Sequence, residues 1–158
     1  MSLTIWRIIK AKHRSTAFSG LGARSFGGRW NSPGVAMVYL AESRALAALE
    51  LLVHLMAADL PSRYVFIPVE VPDILVEPLD AKRLPKDWRA TPAPTRLREM
   101  GDAWLAGGSS AVLQVPSAVV PGEFNFLLNP AHADSAKLVI GDSAPFDFDL
   151  RLAKSKGA

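Results

Sequence analysis

The run Gly27-Gly28-Arg29-Trp30-Asn31-Ser32-Pro33-Gly34 is the most unusual chemistry in the chain. Two glycines let backbone approach a ligand closely. The guanidinium of Arg29 follows at once, a planar fork suited to a phosphate or a carboxylate. Trp30 either stacks on that ligand or packs into the core beside a turn, and Arg29 is equally readable as a surface charge. The second informative residue is Glu50. On a helix of about 3.6 residues per turn, Leu46, Leu49, Leu52, Val53 and Met56 form an apolar stripe. Glu50 borders it, four residues after Leu46 and three before Val53, and Ser43 and His54 share that border. A carboxylate there can line a cleft, where partial desolvation strengthens its field. It can also be an ordinary boundary glutamate that reaches water.

Other chemistries are poorly supplied. His13, His54 and His132 are far apart and fit no metal-ligand spacing, so no metal site is expected. The absence of cysteine removes thiolate nucleophiles, disulfides and Cys-based zinc sites, and fits a reducing compartment. Gly20-Leu21-Gly22-Ala23 does not continue as a dinucleotide fingerprint, and no P-loop occurs. Ser117 follows a strand in Val115-Pro116-Ser117-Ala118, without the Gly-x-Ser-x-Gly elbow of a serine hydrolase.

These residues need elements to hold them. Strands are expected over 3–9, 35–40, 64–71, 111–115 and 125–128, with shorter ones at 74–76, 137–140 and 146–150. The Gly-rich stretch 10–30 reads as a long loop, of the kind that is usually functional in a compact domain. Helices are expected over 43–58 and 95–105, the second stopped by Gly107-Gly108. Strands and helices that do not alternate regularly indicate an α+β domain on antiparallel or mixed sheet, not a doubly wound parallel fold.

At 158 residues the chain is expected to be one domain, spanning residues 3–152, with 153–158 a loose tail. An apolar share of 49% against 21% charged argues against disorder. The most apolar stretch, 45–60, is interrupted by Glu50, His54 and Asp59 and is too short to span a bilayer. No secretion signal is legible at the N-terminus, so a cytoplasmic location is expected. A net charge of +3 is too weak to imply nucleic acid, but it suits an anionic ligand or an acidic partner.

Several segments, in order, resemble the RES-domain family, the toxin half of bacterial Xre–RES toxin–antitoxin pairs. They are Trp6-Arg7-Ile8, Gly27-Gly28-Arg29-Trp30-Asn31, Val38-Tyr39-Leu40-Ala41-Glu42-Ser43 and Ala47-Ala48-Leu49-Glu50. Val115-Pro116-Ser117-Ala118-Val119 and Pro121 to His132 complete the set. The resemblance implies an ADP-ribosyltransferase-like fold and an enzyme that consumes NAD+ as a substrate, with no prosthetic group and no metal. It maps the family's Arg, Glu and Ser to Arg29, Glu50 and Ser117. Glu50 and Arg29 are then the catalytic candidates, and Arg7, Tyr39, Ser117 and Asn125 the NAD-binding ones. Where the family often has Tyr before the first Arg, this chain has Trp6, so an aromatic ring stays and a hydroxyl is lost. The resemblance also implies an Xre-type helix-turn-helix antitoxin that blocks the pocket, and leaves the ADP-ribose acceptor open among a protein, water and phosphate. Nucleic-acid contact would belong to the antitoxin, membrane contact is not expected, and self-association is compatible. Residues 60–108 match none of the motifs. Outside the resemblance, a non-catalytic module holding an anion or a protein at Arg29 is the competing reading, and a nucleic-acid binder a weaker one.

Overall fold

A computed structural model describes residues 1–156 of the chain. Its strands form one mixed sheet. The strands are β1 (Ser2–Lys10), β2 (Val38–Ala41), β3 (Tyr64–Pro72), β4 (Val76–Pro78), β5 (Val112–Pro116), β6 (Phe124–Leu128), β7 (Val139–Ile140) and β8 (Ala144–Phe146). The order across the sheet is β4-β5-β6-β2-β1-β3-β7, and β8 pairs with the same edge of β3 as β7, at its Tyr64 end. Every pairing is antiparallel except β4 with β5. With helices α1 (Leu21–Phe26), α2 (Arg44–Leu52) and α3 (Thr95–Gly107), this is the α+β architecture expected from the sequence.

The centre of the sheet is its weakest seam. β1 pairs with β3 along its whole length, from Ser2 opposite Pro72 to Lys10 opposite Tyr64. On its other side it meets β2 at a single pair, Trp6 opposite Ala41. Beyond that pair the strands diverge, and the sheet curls about the seam. On the inside of the curl, Ile5, Val69 and Val71 from one half pack with Val38, Leu40, Phe126, Leu128 and Val112 from the other. On the outside, α2 covers Ile8, Ala41, Tyr64 and Phe66, while α3 covers Met37, Leu113, Val115 and Leu127.

The helix α2 starts where the side chain of Ser43 accepts a hydrogen bond from the Leu46 amide at 3.1 Å, an N-cap that frees the next turn to begin. It ends at Leu52, six residues short of the expected 58. The expected stripe is also rotated. Leu46 and Ala47 are the buried residues, whereas Leu49, Val53 and Met56 are exposed. The helix is apolar nearly all round, so spacing alone did not distinguish its two flanks. The small side chains Ala47 and Ala48 let it settle closely on β1 and β2.

Other departures have local causes. The stretch 10–30 is not a plain loop: a 3₁₀ turn covers Ala11–Thr16, and α1 lies between Gly20 and Gly27. β2 begins at Val38 because the Asn31 side chain holds the Val35 carbonyl out of the ladder. Residues 73–75 form a 3₁₀ turn, which delays β4 to Val76. The strand expected over 146–150 stops at Phe146, since Phe148 turns into the core against Tyr64 and Asp149 caps the amide of Arg151. Similarly, residues 133–137 are 3₁₀ and only Val139–Ile140 pair. A 3₁₀ segment runs over Leu150–Lys156, into the expected tail, and residues 157–158 lie outside the described residues.

The rotated face of α2 has a measurable signature. Leu46→Ala should cost about 2–5 kcal/mol in urea unfolding, the usual loss for a buried leucine. Leu49→Ala, on the exposed ridge, should stay within about 1 kcal/mol. Equal losses would restore the expected stripe.

Candidate functional site

Glu50, half-buried on the flank of α2, is where three elements meet. Its Oε1 accepts from the Ser117 hydroxyl at 2.6 Å and from the Asn125 side-chain amide at 2.7 Å. Among the described residues Oε2 accepts nothing, so one carboxylate oxygen is pinned and the other is open. Ser117 is buried just past β5, and its own amide donates to the Glu123 carbonyl at 2.9 Å. The amides of Val119 and Val120 donate to its Oγ at 3.1 and 3.0 Å, closing the turn into β6. Asn125 lies on β6 opposite Ala41 and Val115, near the middle of the sheet.

The second group sits in the seam between β1 and β2. Arg7 donates from Nε to the Ala17 carbonyl at 3.0 Å. Its Nη1 reaches the carbonyls of Ile8 and Tyr39, each at 3.4 Å, so the side chain bridges the diverging strands. No carboxylate pairs with it among the described residues. Burial pushes the pKa of this unpaired guanidinium down to about 10, because desolvation penalises the charged form. Arg7 is half-buried, and a partly desolvated cation with only carbonyl partners has capacity left for an anion. Arg7, Tyr39, His13, Thr16 and Ser25 line a cleft of about 490 Å³ at this place.

Tyr39 is held by its hydroxyl. It donates to Asn31 Oδ1 at 2.6 Å and accepts from the Trp30 amide at 3.1 Å. Burial first of all pushes its pKa far up, so the phenol stays protonated. Asn31 is fully buried, and its amide also donates to the carbonyls of Ala23 and Val35 at 2.9 and 3.0 Å. That one side chain ties α1, the turn at 32–35 and Tyr39 together. A Cβ on Gly28 would stand 2.7 Å from the Tyr39 hydroxyl, so a side chain there would displace Tyr39 from its partners. Trp30 is a core residue, and its carbonyl lies where a Cβ on Gly101 of α3 would fall.

Arg29 is turned elsewhere. Its Nη1 donates to the carbonyls of Trp88 and Ala90 at 2.9 and 3.1 Å. Arg89 in turn donates to the Ala118 carbonyl at 3.1 Å. The segment around 88–90, unassigned in the sequence, is therefore clamped between Arg29 and the turn after Ser117. Arg29 is near enough to Tyr39 to act on it electrostatically, and its Nε and Nη2 have no hydrogen bond among the described residues.

Of the six candidates, then, Glu50, Ser117 and Asn125 touch directly, and Arg7 and Tyr39 share a cleft and a hydrogen bond. Tyr39 stands opposite Leu127, two residues along β6 from Asn125 on the same face. Such diagonal neighbours are roughly 7–8 Å apart, which brings Tyr39 near Asn125, although none of Glu50, Ser117 and Asn125 lines the cleft itself. Arg29 touches none of the other five through a hydrogen bond. Asn31 was missed as a positioning residue, although it stands inside the Gly27–Gly34 run. His13 and Thr16 line the cleft from a 3₁₀ segment inside the expected loop, and neither belongs to a motif that would mark it in the sequence. Among the described residues no group of three or more His, Asp or Glu is arranged to hold a metal ion.

The sequence pattern of the RES domain matches residues 4–149, a span that contains all six candidates. The chain belongs to the RES domain family. Its RES relatives match over almost their whole length. A protein named Toxin Res from Yersinia enterocolitica is 38% identical over 152 residues, covering 95% of this chain and 99% of that protein. One named Prs ADP-ribosylating toxin, from a Sphingobium strain, is 41% identical over 159 residues, covering 98% and 99%. Among solved structures, the fold of this RES domain is similar to a chain of the M. tuberculosis MbcT–MbcA toxin–antitoxin complex. The TM-score is 0.77 at 25% identity, over all of this chain and 91% of that one. No helix among the described residues is long and apolar enough to cross a membrane.

The role of Asn31 in this RES domain can be measured through stability. Asn31→Ala leaves the Ala23 and Val35 carbonyls and the Tyr39 hydroxyl short of partners. It should lower unfolding free energy by about 1–3 kcal/mol in denaturant titration. Asn31→Asp should also destabilise, because a carboxylate cannot donate to those carbonyls.

Proposed function

We propose that this RES domain is the toxin of a toxin–antitoxin pair and acts by cleaving the nicotinamide–ribose bond of cytoplasmic NAD+. The observation that carries the reading is the Glu50 carboxylate, with Oε1 fixed by Ser117 and Asn125 and Oε2 accepting nothing among the described residues. The relative named Prs ADP-ribosylating toxin supports the same chemistry.

In this reading the C–N glycosidic bond breaks and its electron pair leaves with the nicotinamide nitrogen. Neutral nicotinamide departs, and the ribose carbon takes on oxocarbenium character, as in glycoside hydrolysis. Glu50 faces that positive charge with Oε2 and stabilises it where it develops. Ser117 and Asn125 keep the carboxylate in one orientation, so little reorganisation is needed in the transition state. Arg7, desolvated and without a carboxylate of its own, receives the pyrophosphate. Arg29 lends its free Nε–Nη2 edge to the same negative charge. Tyr39, neutral and fixed by Asn31, packs against the nicotinamide ring and excludes water. An acceptor oxygen or nitrogen then bonds to the ribose carbon and loses its proton. The name of the Sphingobium relative supports ADP-ribosylation; a protein, water and phosphate are the acceptors to test.

Restraint of such an activity falls to a partner. The similar chain from M. tuberculosis comes from a toxin–antitoxin complex, and we assign to this chain an antitoxin of the Xre helix-turn-helix type that covers the site. The net charge of +3 suits an acidic blocking segment.

The deciding experiment follows nicotinamide release from NAD+ by chromatography, with and without phosphate and with a cell lysate. Glu50→Gln should abolish release while circular dichroism and Tm stay as in the parent. Full turnover in that variant sinks the assignment of the carboxylate. Thermal stabilisation by NAD+ with no product under any condition would indicate a binding module instead. Separately, Arg7→Gln should raise the KM for NAD+ by about tenfold or more, the usual scale for losing a buried charged contact. An unchanged KM would remove Arg7 from the pyrophosphate site.

A further inference from the structure

One face of α3 meets the backbone of the Gly27–Gly34 run at every second residue. Arg98 donates from Nε to the Gly28 carbonyl at 3.0 Å. Gly101 lies against the Trp30 carbonyl, which fills the place of a Cβ on that glycine. Asp102 accepts from the Ser32 amide at 2.9 Å. Positions 98, 101 and 102 share one side of a helix, and 28, 30 and 32 are alternate positions of the loop. Between the held positions stand two residues whose side chains serve the site. Arg29 clamps the segment at 88–90, and Asn31 accepts from the Tyr39 hydroxyl.

Opposite charges four apart on a helix are placed to pair with each other. Among the described residues Arg98 and Asp102 form no ion pair, with each other or with any other side chain. Each is spent instead on the main chain of the same loop. Arg96 and Glu99 do pair along the exposed side of α3, so the ordinary arrangement is open to this helix. Packing does not need the two half-buried charges either, since Leu97, Met100 and Trp104 anchor α3 in the core. Both charges are close enough to Tyr39 to act on its hydroxyl electrostatically, behind the larger effect of burial.

We propose that Arg98 and Asp102 are positioning residues of the candidate site, fixing the backbone of residues 28–32 and thereby the places of Arg29 and the Tyr39 hydroxyl. The route is short. The two charges hold the loop on either side of Trp30 and Asn31, the Trp30 amide donates to the Tyr39 hydroxyl, and Asn31 accepts from it. Part of residues 60–108, which match none of the motifs, thereby acquires a task. The kinetic consequence rests on the NAD+ reading, and the hold on the loop does not.

The test makes two measurements on the full chain. The first is amide hydrogen exchange followed by NMR. In Arg98→Met and in Asp102→Ala the Trp30 amide should exchange about tenfold faster or more, as for a local opening. The amides of Val69 in β3 and Leu127 in β6, both buried, should keep their rates. Asp102→Asn, whose side-chain oxygen still accepts, should restore the protection lost in Asp102→Ala. The second measurement is nicotinamide release. Arg98→Met should lower kcat/KM by about tenfold or more, the scale for a misplaced binding group. In an Arg29→Ala background the same substitution should cost less, because part of its effect passes through Arg29. Four results would overturn the proposal: parent-like protection of Trp30 in both variants, exchange that quickens equally at Val69 and Leu127, unchanged kcat/KM with the loop loosened, or an equal cost in both backgrounds. If the parent releases no nicotinamide, the NAD+ reading fails, and hydrogen exchange alone decides whether α3 holds the loop.

Discussion

A guanidinium wedged between two strands that no longer pair is the constraint around which this molecule is organised. β1 gives its full length to β3 and a single residue pair to β2. The seam that results would expose strand carbonyls to a gap, and Arg7 reaches across to them. The solution is incomplete, because carbonyls supply dipoles and no counter-charge, and a desolvated cation keeps its appetite for an anion. The same divergence that weakens the sheet opens the cleft, so fold and site have one origin.

Around that seam the remaining polar groups act as struts. Asn31 fixes the wall opposite Arg7 through Tyr39 and α1. Ser43 starts α2 at the point that brings Glu50 over Ser117 and Asn125. Arg29 and Arg89 secure the segment at 88–90 through backbone carbonyls. Close packing of Gly101 under Trp30 lets α3 approach near enough to close the outer face. Buried polar groups of this kind are tolerated because each has its partners.

Much of this was legible in the sequence, and the failures share a cause. The α+β class followed from irregular alternation, and Glu50 stood out as a carboxylate on the border of the apolar stripe of its helix. Which flank of α2 was buried did not follow, because Leu49 and Leu46 look alike in a pattern and only the sheet beneath tells them apart. The sequence offers Arg29 either as a fork for an anion or as a surface charge, and in the fold it is a fork half engaged by the Trp88 and Ala90 carbonyls. Main-chain acceptors carry no signature in the letters of a sequence. Asn31 shows the opposite case: a buried amide beside a Ser-Pro-Gly turn has chemistry to satisfy, and asking where its donors go would have found its part in the site.

The environment of Ser117 has a consequence for mechanism. Its one hydroxyl proton points at a carboxylate, and two amide hydrogens occupy its oxygen. An oxygen so surrounded has no lone pair free to attack a carbonyl or phosphorus, and no imidazole is among its hydrogen-bond partners. A serine and acidic residues in one chain invite comparison with acyl-transfer enzymes, yet this hydroxyl is a fixed donor and not a nucleophile. Its proton works as a rivet, and the chemistry falls to the carboxylate it holds.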